Sequence, residues 1–123
     1  MTRLEALRAL YAAVKDGTLC QDDTISDTDS QVIEACFPLL IGDVWAGEYV
    51  ALSAVGSVDA ALDLIAATLP GWAWCVFSSG EATLALADDD PILDGITETA
   101  DHHATALLLA CIAAHIAIED RGE

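Results

Sequence analysis

The sequence predicts an α+β fold, a small antiparallel sheet packed against three to four helices. Three observations carry that expectation. Trp72 to Phe77 and Ala82 to Ala87 are short strand-like runs joined by Ser78-Ser79-Gly80-Glu81, the pattern of a hairpin with a four-residue loop. Apolar residues recur at helical spacing before that hairpin, and an almost unbroken apolar run, Ala104 to Ile118, follows it. With 123 residues and 54% apolar side chains, the chain suits one domain, 1–123, and is too apolar to stay disordered.

The first helix opens on Thr2 and Glu5, a capping-box pair, and sets Leu4, Leu7, Tyr11 and Val14 on one face, with its basic residues against the acidic remainder. Asp16-Gly17 ends it. Residues 18–31 are turn formers with four aspartates and read as an exposed loop. A helical turn or two follows over Gln31 to Leu40, limited by Pro38. Residues 41–50 hold two glycines and scattered aromatics without a clean period; they leave room for a third strand. Ser57 then caps a helix through Leu69, with Asp59 in its first turn, and Pro70-Gly71 stops it. In the hairpin, Trp72, Trp74 and Val76 share one face and Ala73, Cys75 and Phe77 the other. Both faces are apolar, so helices are expected to cover this strand, with Trp72 and Trp74 anchoring the last helix. That helix is expected to start from a Thr97 or Thr99 cap and to end near Ile118. Its apolar run is shorter than the roughly 20 residues of a membrane span, which makes it a core helix.

Charge is the dominant compositional signal. There are 21 Asp and Glu against 4 Lys and Arg, a net charge of −17 with histidine neutral. Arg3, Arg8 and Lys15 precede residue 16, whereas every carboxylate except Glu5 and Asp16 follows residue 20, accompanied only by Arg121. Such a surface repels nucleic acid and anionic membranes and attracts basic proteins or cations. Cys20, Cys36, Cys75 and Cys111 form no CxxC pair, and no signal-peptide pattern opens the chain, so free thiols and a cytoplasmic location are expected. Cys75 and Cys111 read as buried small hydrophobes.

The segment Gly56-Ser57-Val58-Asp59-Ala60-Ala61-Leu62-Asp63-Leu64, followed by Leu69-Pro70-Gly71-Trp72-Ala73-Trp74, resembles a pattern of small bacteriophage and prophage proteins: a GS-x-DAA-x-x-L helix, PGW-x-W entering a strand, and an Ala-rich closing helix. The resemblance spans residues 53–118. It implies a phage origin and a bacterial host cell, and no activity for any residue. The extreme acidity and scarcity of arginine depart from that family.

Candidate chemistry is thin. Glu98 and His102, with Asp94 across the turn, have the spacing of a carboxylate–imidazole metal site if they share a helix, but no HExxH or cysteine cluster supports it. His115 lies among apolar residues and reads as a hydrogen-bonded interior or interface histidine. Asp90 to Asp101 has the length of a calcium loop, with Asp90, Asp94 and Gly95 at positions one, five and six, but Ile92 and Asp101 occupy positions three and twelve. GxSxG and phosphate-binding signatures are absent. The expectation is therefore a protein without catalysis, cofactor or metal.

The expected function is interaction: an acidic protein occupying a positively charged, nucleic-acid-binding site on a host protein, as a DNA mimic or an inhibitor of a defence nuclease such as a CRISPR effector. B-form DNA carries about one charge per 1.7 Å of axis, a density that clustered carboxylates can imitate. The residues expected to meet the partner are Asp22, Asp23, Asp27, Asp29, Asp43, Trp45, Glu48, Asp88, Asp89, Asp90 and Asp94, with Trp45 and Tyr49 as an aromatic hot spot and at least one of the two in the core. The alternative is a structural or accessory phage protein that docks or forms a homodimer through apolar helix faces, at Ile112 or Ile116.

Overall fold

The computed structural model describes residues 2–16, 27–37, 40–41, 43–54, 56–69, 71–76, 80–86, 96–100 and 102–121. In chain order these form α1 (Arg3–Asp16), α2 (Asp27–Cys36), β1 (Leu40–Ile41), β2 (Val44–Trp45), α3 (Ala46–Ala54), α4 (Val58–Thr68), β3 (Trp72–Val76), β4 (Glu81–Leu86), β5 (Ile96–Thr99) and α5 (His103–Arg121). The fold is α+β, with five helices among the described residues against the three to four expected.

The capping signals are realised in atoms. Thr2 Oγ1 accepts from the Glu5 N–H at 3.1 Å, starting α1. Ser57 Oγ accepts from the Ala60 N–H at 3.2 Å, starting α4. Gly56-Ser57 also closes the preceding helix: the Ser57 N–H donates to Leu52 O at 2.9 Å and the Gly56 N–H to Ser53 O at 3.1 Å. This Schellman closure needs a left-handed residue, supplied by Gly56 at φ 113°. One dipeptide thus ends α3 and caps α4, which is why Gly-Ser stands at the head of the helix motif.

Three segments differ from expectation. The helix expected over Gln31 to Leu40 begins earlier, at Asp27 inside the supposed loop, and ends at Cys36. Residues 46–54 form α3 rather than a sheet strand, while β1 and β2 make a separate two-stranded ladder. The third strand of the main sheet is β5, where a helix start was expected, and α5 begins at His103 rather than after a Thr97 or Thr99 cap.

The main sheet is antiparallel in the order β3-β4-β5. Trp74 pairs with Leu84 and Val76 with Ala82; Leu84 in turn pairs with Ile96 and Ala82 with Glu98. Directly paired residues project to the same side, so Trp72, Trp74, Val76, Ala82, Leu84, Ile96 and Glu98 share the face on which Ala82 and Leu84 are fully buried. Ala73, Cys75, Glu81, Thr83, Thr97 and Thr99 share the other, where Thr83 and Thr97 hydrogen-bond side chain to side chain at 3.0 Å. The helices lie on the first face. α5 is the central element, packed on β4, β5, α1, α3 and α4. That position explains its sequence: Ala106 to Ile112 are all buried because protein surrounds the helix. Phe37, Leu7, Leu10, Ile33 and Leu64 complete the core; each contributes about 1.5–3 kcal/mol by burial.

Candidate interaction surface

The four cations decide how the acidic surface looks from outside, and two of them are paired with carboxylates of the later chain. Arg3 on α1 donates through Nε to Cys36 O at the end of α2 (2.9 Å) and pairs through Nη1 with Glu119 Oε1 on α5 (2.5 Å). Its Nη2 faces His115 Nδ1 at 3.3 Å. One guanidinium therefore ties three helices, as its fixed fork of donors allows. Lys15, exposed in the last turn of α1, pairs with Glu98 of β5 at 3.6 Å and lies over the Tyr11 ring, while the Tyr11 hydroxyl donates to Glu98 Oε1 at 2.8 Å. Burial and that Glu98 contact raise the Tyr11 pKa. Two of the three basic residues of α1, Arg3 and Lys15, thus lie against acidic partners of the later chain. Arg8 is exposed, and the Arg121 side chain lies outside the described residues.

The carboxylates are mostly unanswered. Glu5 and Asp16 on α1, Glu34 on α2, Asp43 before β2, Glu48 on α3, Asp59 and Asp63 on α4, and Asp120 on α5 are all exposed. Each belongs to a helix or, in the case of Asp43, to the β1–β2 turn. Among the described residues the main sheet holds only Glu81 and Glu98, and Glu98 is taken by Tyr11 and Lys15. Among the described residues, exposed carboxylates therefore lie mainly on the helices and few on the strands of the main sheet.

Of the residues expected to meet a partner, Asp43, Trp45 and Glu48 come together where β2 runs directly into α3, with both carboxylates exposed. Trp45 is half-buried, its indole over Gly47, and Tyr49 is half-buried against the core. Asp27 and Asp29 sit in the first turn of α2. Asp22, Asp23, Asp88, Asp89, Asp90 and Asp94 lie outside the described residues, as does most of the calcium-loop match.

Four expectations about individual residues are corrected. Glu98 and His102 share no helix face: Glu98 is in β5, bonded to Tyr11, and His102 precedes α5. Cys75 is exposed, because it lies on the sheet face that no described helix covers. Trp74 is 48% exposed rather than a core anchor, since β3 is the edge strand and α5 packs on β4 and β5. Ile112 is wholly buried and Ile116 packs on the core, so the apolar face of α5 is already occupied.

His115 is an interior residue as expected, 4% exposed and edge-on to Phe37. Its Nε2 is buried without a hydrogen-bond partner. Burial, reinforced by Arg3, lowers its pKa to about 4. Cys36 and Cys111 are free thiols whose pKa values burial pushes up to about 12, which leaves them unreactive. A cleft of about 350 Å³ opens between the end of α1 and the start of α5, with Lys15, Thr99, His102 and Thr105 at its polar side and Val14 and Leu109 at its apolar side. No group of three or more His, Cys, Asp or Glu among the described residues is placed to hold a metal. By length and composition α5 is able to cross a membrane, with mean hydropathy 1.3 over His103–Asp120, but 56% of that window is buried inside the domain.

No protein-family model, no curated protein and no solved structure matches the chain.

Proposed function

We propose that this chain is an acidic interaction protein that works without catalysis by occupying a positively charged, nucleic-acid-binding surface on another protein. The observation that carries this reading is the disposition of charge: Arg3 and Lys15 are engaged within the fold, while the helices expose carboxylates with almost no cations among them. A basic groove built for phosphates would find on those helices negative charge without phosphate. Taken with the resemblance to phage proteins, the proposed owner of that groove is a bacterial nucleic-acid-binding or defence complex. The β2–α3 junction, with Asp43 and Glu48 flanking Trp45, is the described region that best combines charge with an aromatic side chain.

The test is affinity capture from a bacterial lysate at low and at high salt, with D43K/E48K and D59K/D63K double variants beside the native protein. A basic nucleic-acid-binding protein should be recovered at low salt and lost at high salt, and D43K/E48K should weaken capture more than D59K/D63K. Capture indifferent to ionic strength, or no basic protein at low salt, would remove the reading.

A second reading has an observation of its own. Trp74 and Cys75 form an exposed, uncharged strand, which suits docking through apolar contact, in the manner of an accessory protein, at the sheet rather than at a helix face.

A further inference from the structure

The start of α1, the end of α2 and the C-terminal half of α5 meet at one buried corner, with a histidine at its centre. His115 of α5 is 4% exposed, its ring edge-on to Phe37 with centroids 5.2 Å apart and its Nδ1 facing Arg3 Nη2 at 3.3 Å. Arg3 only donates. The neutral ring therefore accepts at Nδ1 and keeps its hydrogen on Nε2, which is buried without a partner. A proton taken up by this ring lands on Nδ1, where it turns the acceptor for Arg3 into a donor facing a donor and sets two cations side by side. The charges around the ring are few. α1 supplies Arg3, α5 itself supplies Glu119, which is paired with Arg3, and α2 ends on Cys36, whose buried thiol is neutral. Among the described residues no group of α3, α4 or the sheet adds to those two charges.

We propose that this corner is an acid-operated latch: a proton on His115 expels Arg3 and opens the seam between the α1–α2 ends and α5, freeing Phe37 and Cys36 while the rest of the core stays shut. The opening is local because Arg3 is the tie. Its Nε holds Cys36 O and its Nη1 holds Glu119, so one displaced guanidinium undoes the links to α2 and to α5 together. The remainder of α1 is held by other contacts: Leu7, Leu10 and Val14 are buried, and Lys15 pairs with Glu98 at the far end of the helix. Acid is the trigger. Burial and Arg3 lower the pKa of the closed ring to about 4, whereas a ring released to water titrates near its ordinary value of 6.5. The open corner thus binds the proton more tightly, so closure is fully favoured above pH 6.5 and weakens as pH falls towards 4. Net charge works the other way: acid neutralises carboxylates and relieves the self-repulsion of a chain at −17, which favours the compact state. The latch is independent of the binding proposed above.

Two native thiols make the opening measurable. Cys36 is buried at the corner, whereas Cys75 is exposed on the sheet and supplies the intrinsic thiol reactivity at each pH. The native chain is labelled with a pyridyl disulfide, which reacts with thiols in acid, and the labelled sites are resolved by peptide mass. Amide hydrogen exchange of β4, on the same samples, reports whether the fold as a whole has opened. The ratio of Cys36 to Cys75 labelling should rise about 20-fold from pH 7 to pH 5, while the β4 amides stay protected. His115→Leu should hold the ratio flat over that range, as should His115→Gln, which keeps a polar side chain beside Arg3. Glu119→Gln leaves the ring in place and should retain the rise. A flat ratio in the native chain would overturn the proposal, as would β4 amides that lose protection in step with Cys36, because the whole fold would then be opening. A rise that survives in both His115 variants would overturn it too, and would assign the acid response to carboxylates.

Discussion

Removing the imidazole of His115 should change how stability depends on pH, by an amount the structure sets. The ring is 4% exposed, with Nδ1 facing the Arg3 guanidinium at 3.3 Å, Nε2 buried without a partner, and Phe37 edge-on. Glu119, paired with Arg3, acts in the opposite sense and is outweighed by burial and by Arg3. Protonation would place a cation beside a cation in an apolar wall, so the neutral ring is held and the pKa falls from 6.5 to about 4. Between those values the unfolded chain binds the proton and the folded chain does not. Stability from this site is therefore complete above pH 6.5 and is lost as pH falls towards 4. At about 1.4 kcal/mol per pH unit, the loss reaches about 2 kcal/mol at pH 5 and about 3 kcal/mol at pH 4. The carboxylates titrate in the same range, so the measurement is a difference: urea unfolding of the native chain and of His115→Leu at several pH values. The gap between the two should shift in favour of the leucine variant by those amounts on acidification. A gap that stays constant from pH 7 to pH 4 would refute the assignment, as would a His115 resonance titrating near 6.5 in the folded protein.

Two further substitutions probe the backbone devices. Ser57→Ala removes the hydroxyl that accepts from the Ala60 N–H and should cost about 1 kcal/mol, seen as a lower urea midpoint at unchanged slope. Gly80→Ala meets two obstacles, a φ of 93° and a Cβ that would fall 2.6 Å from Ala100 O, beside the bond from the Ala100 N–H to Gly80 O. It should cost more than about 2 kcal/mol, against a small effect at exposed Ala73 as a control.

Local chemistry made much of the fold legible. Caps at Thr2 and Ser57, the stop at Pro70-Gly71 and the alternation of β3 each operate within a few residues, and each element stands close to where the sequence places it. The misses depend on partners far along the chain. Glu98 points to the helix side of β5, which a carboxylate would not do alone; Tyr11, 87 residues away, makes that position tenable. Without that contact, Thr97-Glu98-Thr99 looks like a helix start. Gly47 obscures α3, yet the Trp45 ring fills the space beside it, so the glycine is required by packing rather than by a break. The exposure of Trp74 was illegible for a related reason: alternation shows which residues share a face, but not where the helix layer above that face ends. The candidate surface is legible only as a sign of charge. Its distribution over the described helices emerges from the fold.

That distribution bears on whether the acidity serves only solubility. A net charge of magnitude about 2–8 keeps a small domain soluble, and charge beyond that works against the folded state through self-repulsion. At −17 this chain is well past that range, and it engages Arg3 and Lys15 in joining α1 to α5 and β5 instead of spreading them among the exposed carboxylates. Repulsion of this kind would be relieved by a partner that brought the missing cations, as the proposed function requires. Exposed carboxylates on the described helices, with Arg3 and Lys15 each already paired to a carboxylate, fit the proposed docking on a basic surface better than solubility alone does.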